Sequence, residues 1–189
     1  MTTKIPIEVS ARHVHICQKD LEALFGKGYR LKKLRQLTQP CDFSAEETLD
    51  IEANGKKISK IRIVGPTREK TQVEISLTDA IFLGLATSFK DSGDVDETPG
   101  VNLIGPNGQI KIEEGIIIPW RHIHCHPEEA KKLGFKNNEF ISVEVKGDRR
   151  IVFYNVKVRI DKGYKLCMHL DTDEGNAAGI DRKGEGLIL

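Results

Sequence analysis

Alternating apolar and polar positions dominate the chain and predict strands rather than long helices. Three segments place two alternating runs around a turn: "LDIEANGKKISKIRIV" around Asn54-Gly55, "VNLIGPNGQIKI" around residues 105–108, and "FISVEVKGDRRIVFYNVKVRI" around Gly147-Asp148. Such turns between alternating runs are typical of β-hairpins. We therefore predict a mainly β protein.

Further alternating runs carry polar side chains on one side. "IPIEVSARHVHIC" reads as one strand, on which His13 and His15 continue the parity of the preceding aliphatic residues. In "TQVEISL", Glu74 faces away from an apolar side that includes Leu77. "YKLCMHLDTDE" is the last predicted strand, and His169 faces away from its apolar side.

Four short helices are predicted between these strands, in "QKDLEALFG", "SLTDAIFLGL", "HPEEAKKLGF" and "DTDEGNAAG". Gly26 and Gly134 are suited to end two of them, because glycine adopts the left-handed conformation of many helix C-caps. Pro127 fits a first helical turn, and the acidic residues of "DTDEG" favour a helix N-terminus.

One pattern occurs twice. Arg12-His13-Val14-His15 is repeated, 109 positions later, as Arg121-His122-Ile123-His124, and each copy precedes a predicted short helix. A duplicated β-unit would produce this repeat. The polar, Gly-rich segment 90–100 is the expected boundary, so we predict two small β-barrel domains, 1–90 and 91–189, capped by short α-helices, with the chain termini free to cross between barrels.

Composition narrows the function classes. The 189 residues are 39% hydrophobic and carry a net charge of +1, so no global field attracts nucleic acid or an anionic membrane. No apolar stretch is long enough to span a bilayer, and "MTTKIPIEVS" lacks the features of a signal peptide. We expect a cytoplasmic protein, whose four cysteines are reduced and mostly buried.

All six histidines fall in three places: 13/15, 122/124/126 and 169. On a strand, residues i and i+2 point the same way about 6.6 Å apart, so each His-x-His pair can converge on one metal ion. Neither pair completes a site alone, and Glu74 and His169 are candidates to complete them. A single pair is weak evidence, but the duplication favours metal binding.

Other residues near these pairs leave alternatives open. His126 precedes Pro127 at a predicted helix start, which favours capping or exposure to solvent. Arg12 and Arg121 would either bind an anion or hold a carboxylate close to a metal ligand. "RIVGPTREKT" clusters Arg62, Arg68 and Lys70 near Glu74, which fits an anionic substrate such as phosphate and equally a solvated basic loop.

Several motifs resemble those of one known family. "VSARHVHI", "LTQPCDFSAEET", "RIVGPTREKTQVEISLTDA", "SGD", "RHIHCHPEEAKKLG" and "MHLDTDEGNAA" are similar to the signatures of the PduL-like phosphate propanoyltransferases, the phosphotransacylases of propanediol utilisation. The likeness runs from about Ile5 to the C-terminus. It implies reversible conversion of acyl-CoA and inorganic phosphate to acyl phosphate and CoA, by two β-barrel domains with a two-zinc site between them, in a homodimer.

The resemblance also implies residue roles. One Zn²⁺ would be held by His13, His15 and Glu74, with the coenzyme A sulfur able to take a fourth position. The second Zn²⁺ would be held by His122, His124 and His169. Arg68 would hold phosphate, and the residues matching the coenzyme A site are Ser10, Arg62, Asn176 and, more weakly, Arg35 at a position where the family has a lysine.

The chain departs from the family pattern at a few positions. Cys125 stands where a methionine is expected, His126 is extra, and Gly175 replaces the usual alanine. A thiol beside the second zinc could join its ligands. Family members from microcompartments carry an N-terminal extension, whereas here the shared pattern begins within five residues of Met1. This predicts a freely cytosolic member, or a trimmed chain.

Two rival functions remain open at this point. No serine or cysteine has the setting of an acyl acceptor, so we expect direct attack of phosphate on the thioester. A zinc metallohydrolase would instead cleave a thioester or a phosphate ester with a metal-activated water. A non-catalytic β-barrel module would bind metal without turnover. The sequence leaves open whether the acyl group is acetyl or propanoyl.

Overall fold

A computed structural model describes residues 3–189 and confirms the mainly β fold. Over this range the strands are β1 (Lys4–Val9), β2 (His13–His15), β3 (Lys33–Gln36), β4 (Phe43–Ala53), β5 (Lys56–Gly65), β6 (Gln72–Glu74), β7 (Phe89–Lys90), β8 (Val101–Gly105), β9 (Gly108–Ile112), β10 (Ile116–Pro119), β11 (His122–Cys125), β12 (Phe140–Val145), β13 (Ile151–Ile160), β14 (Cys167–Leu170) and β15 (Lys183–Ile188). The three predicted hairpins are β4–β5, β8–β9 and β12–β13.

All four predicted helices are present, and each is short. They are α1 (Gln18–Phe25), α2 (Leu77–Leu83), α3 (Pro127–Leu133) and α4 (Thr172–Ala178). Gly26 and Gly134 follow α1 and α3 as C-caps, as predicted, and Gly134 adopts the left-handed conformation. Within residues 3–189, no helix has the length and apolarity needed to cross a membrane.

The described chain divides into two compact units. The barrel unit contains the chain up to Ala11 together with Trp120–Leu189, and the sheet unit contains Arg12–Pro119. This division differs from the expected boundary at residue 90. Strands β8 to β10 pair with β4, β6 and β7 and so belong to the sheet unit. Strand β1 pairs with β14 and β15 and so belongs to the barrel unit.

The barrel unit is a closed barrel of six strands in the order β1-β14-β11-β13-β12-β15. The prediction that β14 is the last strand was wrong, because β15 follows it and closes the barrel between β12 and β1. Its sequence "KGEGLI" lacks apolar alternation, which hid it. Gly186 is needed there, since a Cβ at this position would lie 2.4 Å from Val143.

The sheet unit is built on a nine-stranded sheet in the order β7-β10-β6-β2-β5-β4-β8-β9, with β3 paired to β4. Its hydrogen-bonded path ends at β7 and β9 and does not close, so one of the two expected barrels is an open sheet. Each unit has its own apolar core, represented by Val14, Ile63 and Leu103 in the sheet unit and by Ile7 and Ile123 in the barrel unit.

Two strand predictions need correction. The segment predicted as one strand through His15 is two strands, β1 and β2, which lie in different units. The apolar parity that the two strands share in the sequence is therefore a coincidence of spacing. Leu77 does not extend β6, because the capping box formed by Ser76 and Asp79 starts α2 there, and Leu77 is exposed.

The expected internal duplication is visible in the strand pairing. In the sheet unit, β2 lies between β5, which is parallel to it, and β6, which is antiparallel. In the barrel unit, β11 lies in the same way between β13 and β14. A capped helix follows the third strand of each set, α2 after β6 and α4 after β14.

Candidate functional site

The first candidate metal site lies in the sheet unit, on the side of β2 opposite the core residue Val14. His13 Nε2 lies 3.1 Å from His15 Nε2. Glu74, directly across from His13 on β6, places carboxylate oxygens 3.5 Å from His13 Nε2 and 3.8 Å from His15 Nε2. Ligand atoms around a tetrahedral ion at 2.0–2.1 Å are about 3.3 Å apart, so these three side chains fit one ion.

The protonation state of His15 and the orientation of Glu74 both suit the binding of a metal ion. Burial, followed by the nearby charges of His13 and Arg68, holds the pKa of His15 well below its usual value. His15 is therefore neutral, which is the metal-binding form of imidazole. Gln72, across from His15 on β6, donates a hydrogen bond of 2.6 Å from Nε2 to Glu74 Oε1 and so orients the carboxylate.

The second candidate metal site lies in the barrel unit, where His122, His124 and His169 face one another. Their ring centroids are 4.6 Å apart for His122 and His124, 5.3 Å for His122 and His169, and 4.9 Å for His124 and His169. Burial, with a smaller contribution from His169, lowers the pKa of His122 to about 3. His122 is therefore neutral, which is the metal-binding form of imidazole.

The tautomer of His122 follows from one backbone contact. His122 Nδ1 lies 2.7 Å from the carbonyl oxygen of Trp120, which can only accept a hydrogen bond. Nδ1 therefore carries the proton, and Nε2 keeps its lone pair for a metal. The ring of Tyr164 stacks on His124, with 3.9 Å between the ring centroids, and restrains that imidazole.

Two further possible donors lie beside His169, and of these only Glu8 is without a signal in the local sequence. Ligand atoms of Glu8, Cys167 and His169 all lie within 4.8 Å of one another. Cys167 shares a strand face with His169, a signal that the sequence did contain. Glu8 is brought alongside by the parallel pairing of β1 with β14, which local pattern does not reveal. Burial, then the charge of Glu8, raises the pKa of the Cys167 thiol to about 12.

Cys125 and His126 lie apart from the histidine rings. Cys125 alternates with His124 along β11 and is fully buried in the barrel core, so its thiol faces away from the candidate ligands. Burial raises its pKa to about 11. His126 is the N-cap of α3 and accepts a hydrogen bond from the Glu128 backbone N–H, which confirms the predicted capping role.

The predicted basic cluster is only partly assembled. Arg68 donates to Ser92 Oγ at 3.2 Å and lies 3.7 Å from Asp42 Oδ1. Arg62 instead donates to backbone oxygens of β4, and Lys70 is exposed and paired with Asp96. Of the three cations, Arg68 is the one whose charge lowers the pKa of a candidate ligand, His15.

The residues expected at the coenzyme A site are distributed over both units. In the barrel unit, Ser10 Oγ lies 3.5 Å from His169 Nδ1, and Asn176 is exposed on α4. In the sheet unit, Arg62 is the cross-strand neighbour of His13, and Arg35 is exposed on β3. Ser10 and Arg62 thus each adjoin a candidate metal ligand.

Of the two roles left open for Arg12 and Arg121, the contacts show the second, the holding of a carboxylate. Arg12 pairs with Asp79 and Arg121 pairs with Glu174, each through Nε. Both arginines therefore hold carboxylates of their own unit.

Comparison with known proteins identifies the family. The model of the phosphate propanoyltransferase family matches residues 6–181. A phosphate propanoyltransferase of Thermotoga maritima is 47% identical over 94% of this chain and 85% of its own length. One of Lachnoclostridium phytofermentans is 44% identical over 93% and 83%, and one of Listeria monocytogenes is 39% identical over 100% and 89%. The chain is therefore a member of the phosphate propanoyltransferase family, whose enzymes are phosphotransacylases.

Proposed function

We propose that the chain transfers a short acyl group, acetyl or propanoyl, reversibly between coenzyme A and inorganic phosphate, using two zinc ions, one in each unit. The observation that carries the proposal is the repeated strand register. A His-x-His strand faces a third donor, Glu74 in the sheet unit and His169 in the barrel unit. Histidine and carboxylate donors in sets of three are typical of zinc sites that keep a position open for substrate.

Each proposed ion would be held by one set of three donors. His13, His15 and Glu74 would hold one ion, and His122, His124 and His169 would hold the other. When bound, the ions would supply Lewis-acid stabilisation to the coenzyme A sulfur and to phosphate. The lowered pKa values of His15 and His122 support this assignment, because both imidazoles are ready to bind without losing a proton.

Arg68 is the proposed phosphate-binding residue. Its guanidinium donates a hydrogen bond to Ser92 and lies beside Asp42, so the orientation of the guanidinium is fixed before substrate binds. Burial raises the pKa of Asp42, and the charge of Arg68 opposes that shift. A planar guanidinium suits phosphate oxygens because it can donate two parallel hydrogen bonds.

The proposed reaction is direct attack of a phosphate oxygen on the thioester carbonyl carbon. A C–O bond forms, the C–S bond breaks, and coenzyme A leaves as the thiolate. An acyl-enzyme would need a reactive nucleophile, and the thiols of Cys125 and Cys167 are buried with raised pKa values, so they stay protonated. Ser10, Arg35, Arg62 and Asn176 are proposed to contact coenzyme A.

Coenzyme A release tests the proposal against its rivals. Purified protein is given acetyl-CoA or propanoyl-CoA with and without phosphate, and its metal content is measured by elemental analysis. We expect release that requires phosphate, formation of acyl phosphate, and two zinc ions per chain. Release without phosphate would instead identify a hydrolase, and bound metal without any turnover would identify a binding module.

We also propose that the protein is a homodimer. Three apolar residues of α2 are exposed, Ile81 at 68%, Phe82 at 49% and Leu77 at 46%, and a second copy of the chain would remove this surface from water. Light scattering should give twice the chain mass, and Ile81→Glu should shift it to the monomer. A monomeric mass for the unsubstituted protein at assay concentration would contradict the proposal.

A further inference from the structure

An arginine stands immediately before each histidine strand and pairs with a carboxylate on a helix. Arg12 Nε lies 2.8 Å from Asp79 Oδ2, and Arg121 Nε lies 2.6 Å from Glu174 Oε1. The carboxylate side chains are only 7% and 17% exposed, whereas the arginines lie closer to the surface. The two pairs are equivalent in the duplicated architecture. Each acid is the third residue of the helix that follows the strand with the third donor, α2 after β6 and α4 after β14.

Each carboxylate also closes the capping box of its helix. Asp79 accepts a hydrogen bond from the Ser76 backbone N–H at 3.4 Å, and Glu174 accepts one from the Asp171 backbone N–H at 3.3 Å. Ser76 follows Glu74 by two residues, and Asp171 follows His169, the third donor of the barrel unit, by two. A continuous path therefore runs from the third donor through the cap and the acid to the arginine.

We propose that the Arg12–Asp79 and Arg121–Glu174 ion pairs are two clamps, each of which fixes the histidine strand of its unit against the strand that carries the third metal ligand. The four residues are positioning residues that touch neither metal nor substrate. This inference rests on the proposed function for the identity of the metal ligands.

The ladders between these strands are short. Three residues of β2 pair with three residues of β6, and three of β11 pair with three of β14. A clamp turns each short ladder into a closed ring, with backbone pairing on one side and a charge-assisted hydrogen bond on the other. Metal ligands must be held within a fraction of an ångström, so a small shift of one strand weakens the whole donor set.

A role limited to capping the helices makes a different prediction. In that case, weakening the cap and removing the arginine would have the same effect. Ser76→Ala separates the two roles, because Ser76 Oγ accepts from the Asp79 N–H while Arg12 retains its carboxylate partner. Arg12→Gln removes the clamp and leaves the serine cap in place.

Metal-release kinetics test the clamps directly. The full-length, zinc-loaded protein is mixed with a chromophoric chelator at about pH 9, because the pKa of Glu174 is about 7 and the carboxyl must be ionised. His122→Ala leaves only the sheet-unit ion, and in this background Arg12→Gln should speed zinc release roughly 10- to 100-fold, the usual cost of losing a supporting contact. Arg121→Gln should leave that ion unchanged. In the reciprocal His13→Ala background, the two arginine variants should exchange their effects.

Matched controls break ion pairs of similar length that lie away from the histidine strands. Asp50→Asn removes the Lys57–Asp50 pair of 2.7 Å, and Glu185→Gln removes the Lys4–Glu185 pair of 2.7 Å. Both controls, and Ser76→Ala, should release zinc at the unsubstituted rate. Arg12→Lys and Arg121→Lys keep the charge and should give intermediate rates of zinc release. They replace the glutamine variants in the test if those variants do not fold.

Two results would overturn the clamps. The first is a zinc-release rate that is unchanged in the arginine variants. The second is a release rate that correlates with the thermal unfolding temperature across all variants, wherever the substitution lies, because this would indicate general destabilisation. If the unsubstituted protein binds two zinc ions and transfers acyl groups to phosphate while the arginine variants behave normally, only the clamps fail. If the unsubstituted protein binds no metal, the proposed function and the clamps both fail.

Discussion

His169 lies directly opposite His122 where β14 pairs with β11. The equivalent place opposite His13, where β6 pairs with β2, is occupied by Glu74. The duplicated architecture thus carries different third donors in its two halves, an imidazole in one and a carboxylate in the other. A divalent ion would keep its full charge among three histidines, whereas Glu74 would offset part of it. The two proposed sites would therefore differ in net charge once an ion is bound.

Removing one histidine should remove one ion. His122→Ala is expected to lower bound zinc from two ions to one and to abolish acyl transfer, because two remaining imidazoles bind the ion far more weakly. Elemental analysis of the purified variant measures the loss. His126→Ala is the matched control, since His126 caps α3 without facing the other rings. Retention of both ions by His122→Ala would contradict the proposed ligand set.

Arg68→Gln should weaken phosphate binding more than coenzyme A binding. A hydrogen bond to a charged group contributes about 1.5–3 kcal/mol, so the KM for phosphate should rise roughly 10- to 100-fold. Initial rates at varied phosphate and varied acyl-CoA measure the two effects separately. Lys70→Gln is the control, because Lys70 is exposed and paired with Asp96. Equal increases in both KM values would argue against a phosphate-binding role.

The sequence predicted features that depend on neighbouring residues. The Asn54-Gly55 hairpin, the Gly134 cap and the Pro127 helix start all follow from local backbone preferences, and all three are present. The repeated His-x-His pairs were evident for the same reason, since strand alternation alone places both rings on one face. Local chemistry therefore revealed most elements and two of the three donors in each candidate set.

Features set by distant pairing were harder to predict. The placement of Glu74 and His169 opposite the histidine strands depends on strand pairing across many residues, and was inferred from resemblance and from residue type. Strand β15 lacks the apolar alternation of the others, because Gly186 must fit beneath Val143. Glu8 joins the surroundings of His169 only because β1 pairs with β14 in the other half of the chain.

Glu174 should make stability depend on pH. Burial raises its pKa from the usual 4.5 to about 7, although Arg121 opposes the shift. The folded state therefore favours the neutral carboxyl, and this contribution to the unfolding free energy is full below pH 4.5 and is lost as pH rises through 7. The difference amounts to roughly 3 kcal/mol.

Glu174→Gln isolates this dependence, since glutamine does not ionise. Chemical unfolding of the variant and the unsubstituted protein should show their difference in unfolding free energy changing between pH 4.5 and 7 and constant outside that window. Lys4→Gln is a control for general charge effects, because Lys4 and its partner Glu185 are both exposed. A difference that is independent of pH would show that Glu174 has the same pKa in the folded and unfolded states.

The four thiols should differ in reactivity, and none should carry the acyl group. Cys125 and Cys167 are buried with pKa values raised to about 11 and 12, so an alkylating reagent should reach them only after denaturation. Cys41 is exposed and should be labelled in the native protein, as peptide mass spectrometry would show. Native labelling of Cys125 or Cys167 would contradict their burial.

Cys41 is the sharpest test of direct attack, because it is exposed and adjoins Asp42, the partner of Arg68. We expect Cys41→Ser to keep the kcat of the unsubstituted protein, and kinetics with both substrates varied to give the intersecting lines of a ternary complex. Protein incubated with radiolabelled acyl-CoA without phosphate should retain no label after denaturation. Parallel lines, together with label on Cys41 that phosphate removes, would replace direct attack by an acyl-enzyme on that thiol.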